Sequence, residues 1–295
     1  MSFKQPCTLR GNIALGMMLM TLTPASIAKT VDEVIELPVT VTNMSGRVIT
    51  HSIKLTVFRD DKRTHSPFLV LNHGRPARFE DFAKLGRVRY TDNSKYFISK
   101  GFVVFVPTRV GYGVTGGEDA EYSGPCPAKN YAPVYEAAAQ QSIKVIEYAR
   151  TLPYVDANKG LVVGQSFGGT AAIALAAKNL PGVVAAVNFA GGGGGNPDGR
   201  PGNPCRNDRL IELFSSYGAT SRIPTLWAYS ENDRYFGKEK PRAWFSAFLA
   251  KGGTGEFVQL PPLLPPLGED GHSSFTRNPN AWRPSFEDFL RRNKF

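Results

Sequence analysis

Gly164-Gln165-Ser166-Phe167-Gly168 follows the apolar run Leu161-Val162-Val163 and precedes Gly169-Thr170-Ala171-Ala172-Ile173-Ala174-Leu175, a stretch of small, helix-compatible residues. A serine flanked by glycines in this way suits a sharp strand-to-helix turn, because the absent side chains let the backbone close tightly and lift the hydroxyl clear of a sheet. With 30 glycines in the chain, the five-residue pattern alone carries little weight. The strand before it and the helix after it give it meaning. A hydroxyl is a poor nucleophile until a base takes its proton, so the pattern predicts a histidine and an acid to orient that histidine.

The chain has four histidines. His51 lies within an alternating N-terminal segment and His65 in a polar turn, positions suited to packing or surface roles. His73 follows the third strand candidate, where a different role is expected. His272, in Gly268-Glu269-Asp270-Gly271-His272-Ser273-Ser274, comes after the last strand candidate and before the final helix. By elimination it is the expected base. The orienting acid should fall between nucleophile and base, on a loop after a strand. Glu231-Asn232-Asp233 follows the strand-like residues 223–230, and Asp233 is expected because it lies past the strand end, with Glu231 as the alternative. Asp270 is too near His272 in sequence to reach its far ring nitrogen and is expected to steady the loop.

Acyl transfer also needs donors aimed at the oxygen that becomes charged, usually one backbone N–H from the residue after the nucleophile and one from the loop after the third strand. In this sequence those are Phe167 and Arg75, the latter in Leu71-Asn72-His73-Gly74-Arg75-Pro76.

Taken together, residues 164–169, His73-Gly74, Arg109-Val110-Gly111-Tyr112-Gly113, Ser230-Glu231-Asn232-Asp233 and Gly271-His272 resemble the dienelactone hydrolase branch of the α/β hydrolases, over nearly all of the chain from Pro67 onward. In particular the pattern resembles exported bacterial members with a serine nucleophile, which are similar to the catalytic domains of prolyl-oligopeptidase-like peptidases. The resemblance implies a Ser166–Asp233–His272 triad, the two oxyanion donors, and hydrolysis of an acyl compound with no metal or organic cofactor. Dienelactone hydrolase proper has cysteine where this chain has Ser166, so lactone specificity does not carry over.

These residues need a scaffold to converge. Residues 31–43 and 47–59 alternate apolar and polar side chains around Asn43-Met44-Ser45-Gly46, the pattern of an antiparallel hairpin. Short, almost wholly apolar strand candidates follow at 68–72, 102–107, 160–164, 183–190, 223–230 and 256–260, as expected for strands covered on both faces. Helical candidates lie near Tyr96 and at 135–151, 167–179, 209–217, 241–251 and 284–292. This predicts an α/β-hydrolase fold: a mostly parallel sheet with an N-terminal antiparallel hairpin and helices on both faces. The ligand crevice of such a sheet lies at the carboxyl ends of its strands, where all the singled-out residues fall. Gly191 to Gly195 and the polar residues after it follow a strand but open no helix, which suits a mobile loop at the crevice edge better than a nucleotide site.

The 295 residues, 42% hydrophobic and 20% charged, suit one large domain over 29–295. Lys4 and Arg10 before an apolar run at 13–22, then Ala25-Ser26-Ile27-Ala28, read as a secretory signal over 1–28, too short to span a bilayer. An exported chain, periplasmic or extracellular, is expected, with no stable membrane insertion after cleavage. Cys7 would leave with the signal. In an oxidising compartment Cys126 and Cys205 are expected to pair, stapling part of the crevice rim. Tyr112, Tyr122, Tyr131, Tyr235 and Phe236 are candidate apolar walls. The net charge of +10 comes from scattered basic residues often beside acids, with no aromatic-rich basic stripe, which argues against a nucleic-acid partner. The expected substrate is a small-molecule ester or a short peptide. A non-catalytic binding protein on the same fold would have a broken triad, and this sequence has every member.

Overall fold

A computed structural model describes residues 1–3 and 30–295. The signal segment expected over 1–28, apart from its first three residues, lies outside the described residues, as does Cys7.

β1 (Thr30–Thr42) and β2 (Val48–Asp60) form the expected antiparallel hairpin, with Thr30 opposite Asp60 and Thr42 opposite Val48. They open an eight-stranded sheet with β3 (Ser66–Asn72), β4 (Val103–Thr108), β5 (Val155–Gln165), β6 (Val183–Phe189), β7 (Thr225–Ser230) and β8 (Gly255–Leu260), in the spatial order β1-β2-β4-β3-β5-β6-β7-β8. β2 runs antiparallel to β4, and every pair from β4 to β8 is parallel.

The central strands are apolar at consecutive positions because both of their faces are covered. In β4, Val103 and Phe105 pack into one core while Val104 and Val106 pack into the other; in β7, Trp227 and Tyr229 divide in the same way from Leu226 and Ala228. The first core lies under α2 (Ala132–Ala149), α3 (Phe167–Ala176), α4 (Asn207–Thr220) and α5 (Glu239–Ala250). The second lies under α1 (Thr91–Ser99), α6 (Ser274–Arg277) and α7 (Pro279–Arg292). No helix among the described residues is long and apolar enough to cross a membrane.

Most element boundaries shift by one to three residues from the sequence reading, and two shift by five. β5 starts at Val155 rather than Gly160, pairing with Ser66 and Pro67 before a register shift between Pro67 and Phe68. The polar residues Asp156, Asn158 and Lys159 conceal that part of the strand. The last helix, expected from Pro284, begins at Pro279, and Pro284 lies inside it. Either proline suits a first turn, and only the earlier one occupies it.

Helix α7 matters to the site because it pins the segment that carries His272. Trp282 is buried, and its indole N–H donates to the Phe275 carbonyl at 3.0 Å. Asn93 donates to the same carbonyl at 3.0 Å, and the Phe275 ring lies 4.6 Å from that of Phe189. Replacing Trp282 by alanine removes a large ring and a hydrogen bond together. The Trp282→Ala protein should lose about 3–5 kcal/mol in urea unfolding, and a loss below about 1 kcal/mol would show that the ring does not anchor this segment.

Candidate active site

The loops after β3, β5, β7 and β8 meet at one end of the sheet, and each brings one expected residue. Ser166 stands between β5 and α3 at φ 57° and ψ −127°, a left-handed conformation that a non-glycine residue adopts only when its surroundings enforce it. The flanking glycines allow the turn. A Cβ on Gly164 would lie 1.9 Å from the Gly168 carbonyl oxygen, and one on Gly168 would lie 2.2 Å from the Asn72 carbonyl oxygen. The start of α3 therefore rests directly on the end of β3.

Ser166 Oγ lies 2.9 Å from His272 Nε2, and His272 Nδ1 lies 3.0 Å from Asp233 Oδ2. All three residues are buried. The other oxygen of Asp233 accepts the backbone N–H groups of Tyr235 (2.8 Å) and Phe236 (3.0 Å), so the carboxylate is fixed from both sides. The partners assign the tautomer: Nδ1–H donates to Asp233 and Nε2 faces the serine. Tyr235 stacks on the imidazole at 4.0 Å between centroids, and Phe236 meets it edge-on at 5.3 Å.

Glu231, the alternative acid, points elsewhere and pairs at the surface with Lys238 at 3.0 Å. Asp270 steadies the loop, its Oδ1 accepting the backbone N–H of His272 (3.0 Å) and of Arg234 (2.9 Å). His51 contacts the Thr115 carbonyl at 2.9 Å, and His65 is exposed.

The loop after β3 touches the serine: a Cβ on Gly74 would stand 3.0 Å from Ser166 Cβ. Neither the Arg75 nor the Phe167 backbone N–H donates to an acceptor among the described residues. His73 explains the pose of this loop. Its Nε2 accepts the Arg109 backbone N–H at 3.1 Å, which leaves Nδ1 protonated to donate to the Gly74 carbonyl at 2.6 Å. In the trans peptide between Gly74 and Arg75 the carbonyl and the next N–H point in opposite directions. Holding the Gly74 carbonyl against His73 thus turns the Arg75 N–H the other way.

A buried charged network backs this arrangement. Arg109 and Glu121 form a fully buried ion pair at 2.6 Å, and Arg109 also donates to the His73 carbonyl at 2.9 Å. The Tyr112 hydroxyl donates to Glu121 at 2.8 Å and accepts from Arg75 at 2.7 Å, while Arg75 clasps Asp119 with contacts of 2.7 and 2.6 Å. The Arg75 side chain is thereby drawn away from Ser166, leaving its backbone at the site. Tyr112 is consequently not a crevice wall as expected; its hydroxyl is committed to these buried charges. Sequence reasoning misses Glu121 and Asp119, because a buried acid has no local signature and its partner is set by tertiary contact.

Gln165 is a further unforeseen tie. It donates to the His272 carbonyl at 3.1 Å and accepts from the Tyr90 hydroxyl at 3.3 Å. Burial pushes the Tyr90 phenol up to about 12, so it stays protonated as that donor.

Two cavities open beside Ser166. One, of about 510 Å³, is bounded by Phe167, the 192–195 loop, Tyr131, Tyr235, Phe236 and the disulfide; Tyr122 also reaches it. The other, of about 410 Å³, is bounded by His272, Gln165, Tyr90 and Val88. Cys126 and Cys205 are bonded, their Cα atoms 5.2 Å apart, and the pair lies in the wall of the larger cavity. The 191–195 loop lies at the crevice edge but is packed rather than loose. The Tyr229 and Tyr135 hydroxyls donate to the carbonyls of Gly191 (2.7 Å) and Gly192 (2.8 Å), the Tyr131 hydroxyl donates to the Cys205 carbonyl at 2.5 Å and lies 3.3 Å from that of Gly193, and the glycines leave room for the rings of Tyr131, Tyr135 and Tyr235. Among the described residues no group of three or more His, Cys, Asp or Glu could hold a metal ion.

Strand order and the strand-to-helix serine define an α/β hydrolase. The chain belongs to the dienelactone hydrolase family, whose model matches residues 86–254. A search of curated proteins finds no match to the chain. Among solved structures it is similar to a Klebsiella pneumoniae protein assigned as a dienelactone hydrolase, at 14% identity and a TM-score of 0.53 over 88% of this chain and 98% of that one. It is also similar to the acylaminoacyl peptidase of Pyrococcus horikoshii, at 14% identity and a TM-score of 0.58, covering 89% of this chain and 42% of the peptidase. The chain therefore spans about two fifths of that peptidase's length. At such identities the likeness is one of fold.

His73 makes a measurable contribution to pH dependence. Burial, and then the charge of Arg109, hold its imidazole well below the ordinary range, with the Gly74 bond acting weakly the other way. The folded protein keeps it neutral, whereas the unfolded chain takes up the proton below about pH 6.5. Stability is thus lost as pH falls through that value, by about 1.4 kcal/mol per pH unit until the folded group titrates. Urea unfolding between about pH 6 and 4 should show a steeper loss for the wild type than for His73→Asn, by about that amount. Equal slopes would contradict a buried neutral His73.

Proposed function

We propose that this hydrolase is a serine esterase that transfers an acyl group through Ser166 to water. The observation that carries the reading is the unbroken chain of contacts from Ser166 through His272 to Asp233, at 2.9 and 3.0 Å, buried beside two open cavities. His272 Nε2 takes the hydroxyl proton as Oγ attacks the ester carbonyl, and Asp233 holds the ring in register and offsets the charge it gains. The oxygen that becomes negative faces the backbone N–H groups of Phe167 and Arg75, with the positive end of α3 behind it. His272 then returns the proton to the departing alcohol. Water, deprotonated by the same imidazole, releases the acid and restores Ser166.

We read the protein as exported, acting in the periplasm or outside the cell. The basic, apolar and small-residue pattern of the first 28 residues supports this, and so does a disulfide, a bond that persists in oxidising compartments.

Steady-state kinetics with short aryl esters and matched peptide anilides test the assignment. Ser166→Ala and His272→Ala should each lower kcat by about 10⁴-fold or more, and Asp233→Ala by about 10³- to 10⁴-fold. Glu231→Ala should stay within a few-fold of wild type. A large loss in Glu231→Ala with Asp233→Ala unaffected would reverse the choice of acid, and faster cleavage of the anilides than of the esters would make the protein a peptidase.

A further inference from the structure

The two cavities meet at Ser166 from different sides, and this assigns their occupants. The smaller one contains His272, which must hand its proton to the leaving oxygen, so the alcohol departs there. The larger one runs past Phe167 to the disulfide and receives the acyl group. Tyr131, Phe167 and Phe236 give it buried aromatic walls. Where it meets the disulfide, its lining changes to the cations Lys129 and Arg200.

Neither cation has an acidic partner among the described residues. Lys129 Nζ donates to two neutral groups, the Ser123 hydroxyl (3.1 Å) and the Gly124 carbonyl, and retains a third N–H. Arg200 Nε is buried with no acceptor, and the guanidinium lies against the Cys126 sulfur. The other charges on this cavity are already satisfied or face outward. Arg75 is held by Asp119, Arg78 turns to Glu80 and Asp81, and Asp198 is exposed with Arg234 at 3.9 Å. Burial, then the charges of Arg75 and Arg200, push the Lys129 ammonium down, while Asp119, already clasped by Arg75, acts the other way. A buried N–H without an acceptor is unfavourable, and an anionic ligand group would supply one to Arg200.

We infer that Lys129 and Arg200 form a subsite for an anionic group on the acyl portion of the substrate, and that the protein prefers half-esters of dicarboxylic acids joined by an apolar or aromatic spacer. The inference rests on the esterase reading. In the reaction, the acyl carbon–oxygen bond of the ester breaks, water supplies hydroxide to the acyl carbon and a proton to the alcohol, and the distal carboxylate is untouched throughout. Recognition comes from charge and hydrogen bonds alone.

A matched pair of substrates separates the two claims: the mono-4-nitrophenyl ester of adipic acid and the same ester with its free carboxyl capped as a methyl ester. Their leaving groups are identical. Wild type should favour the acid in kcat/KM by about 10- to 100-fold, the range expected for hydrogen bonds to a charged group. Added salt should narrow the preference. Lys129→Met and Arg200→Met should each reduce the ratio of the two kcat/KM values, and the double variant should bring it near unity. If wild type hydrolyses both esters equally well, the subsite is wrong and the esterase stands. If wild type hydrolyses neither, the esterase reading falls and the subsite with it. The wild-type comparison decides the matter even if a variant fails to fold.

Discussion

Gly168 rests on the Asn72 carbonyl so closely that a single added carbon would stand 2.2 Å from that oxygen, and the rest of the site depends on this approach. It brings the first turn of α3 against the end of β3, and the loop after β3 lies beside Ser166, where a Cβ on Gly74 would stand 3.0 Å from Ser166 Cβ. It also fixes Ser166 at a positive φ, a conformation costing on the order of 1–3 kcal/mol and tolerated because packing on every side over-determines it. All ten residues of α3 are buried, and the sheet beneath is covered on both faces. The large double core thus acts locally as well, holding one strained residue in place.

Around that point, polar contacts add to the apolar packing in tying the loops together. His73 sets the Gly74–Arg75 peptide, Gln165 links Tyr90 to the backbone of His272, and Asp270 joins the loops that carry Asp233 and His272. Behind them, the buried Arg109–Glu121 pair is a costly element unless every partner is present. Arg109 also donates to the His73 carbonyl, and Glu121 also accepts from the Tyr112 hydroxyl, which in turn accepts from Arg75. Such networks rigidify loops that apolar side chains could not orient, since hydrogen bonds have direction and hydrophobic contacts do not.

Much of this is legible in the chain. Continuous apolar runs announce the inner strands, alternation announces the hairpin, and the strand–glycine–serine–glycine–helix pattern places Ser166. Asp233 and His272 follow from their order after successive strands, and the structure brings both to Ser166. What escapes is tertiary. Tyr112 looks like a wall because aromatic residues in loops often line crevices, yet its hydroxyl serves a buried acid. The 191–195 glycines suggest mobility, although here they make room for the rings of Tyr131, Tyr135 and Tyr235. Pro284 could open a helix as well as Pro279 does. In each case the residue's local preference admits two outcomes, and contacts from distant parts of the chain select one.

If His272 makes Ser166 nucleophilic, treatment with a fluorophosphonate followed by peptide mapping in the mass spectrometer should reveal it, since such a reagent reacts with a serine only when its proton is taken by a neighbouring base. The expected result is one phosphonyl group per chain, on the peptide containing Ser166, and its loss in His272→Ala. No adduct on the wild-type protein, or an adduct on another residue, would contradict the assignment.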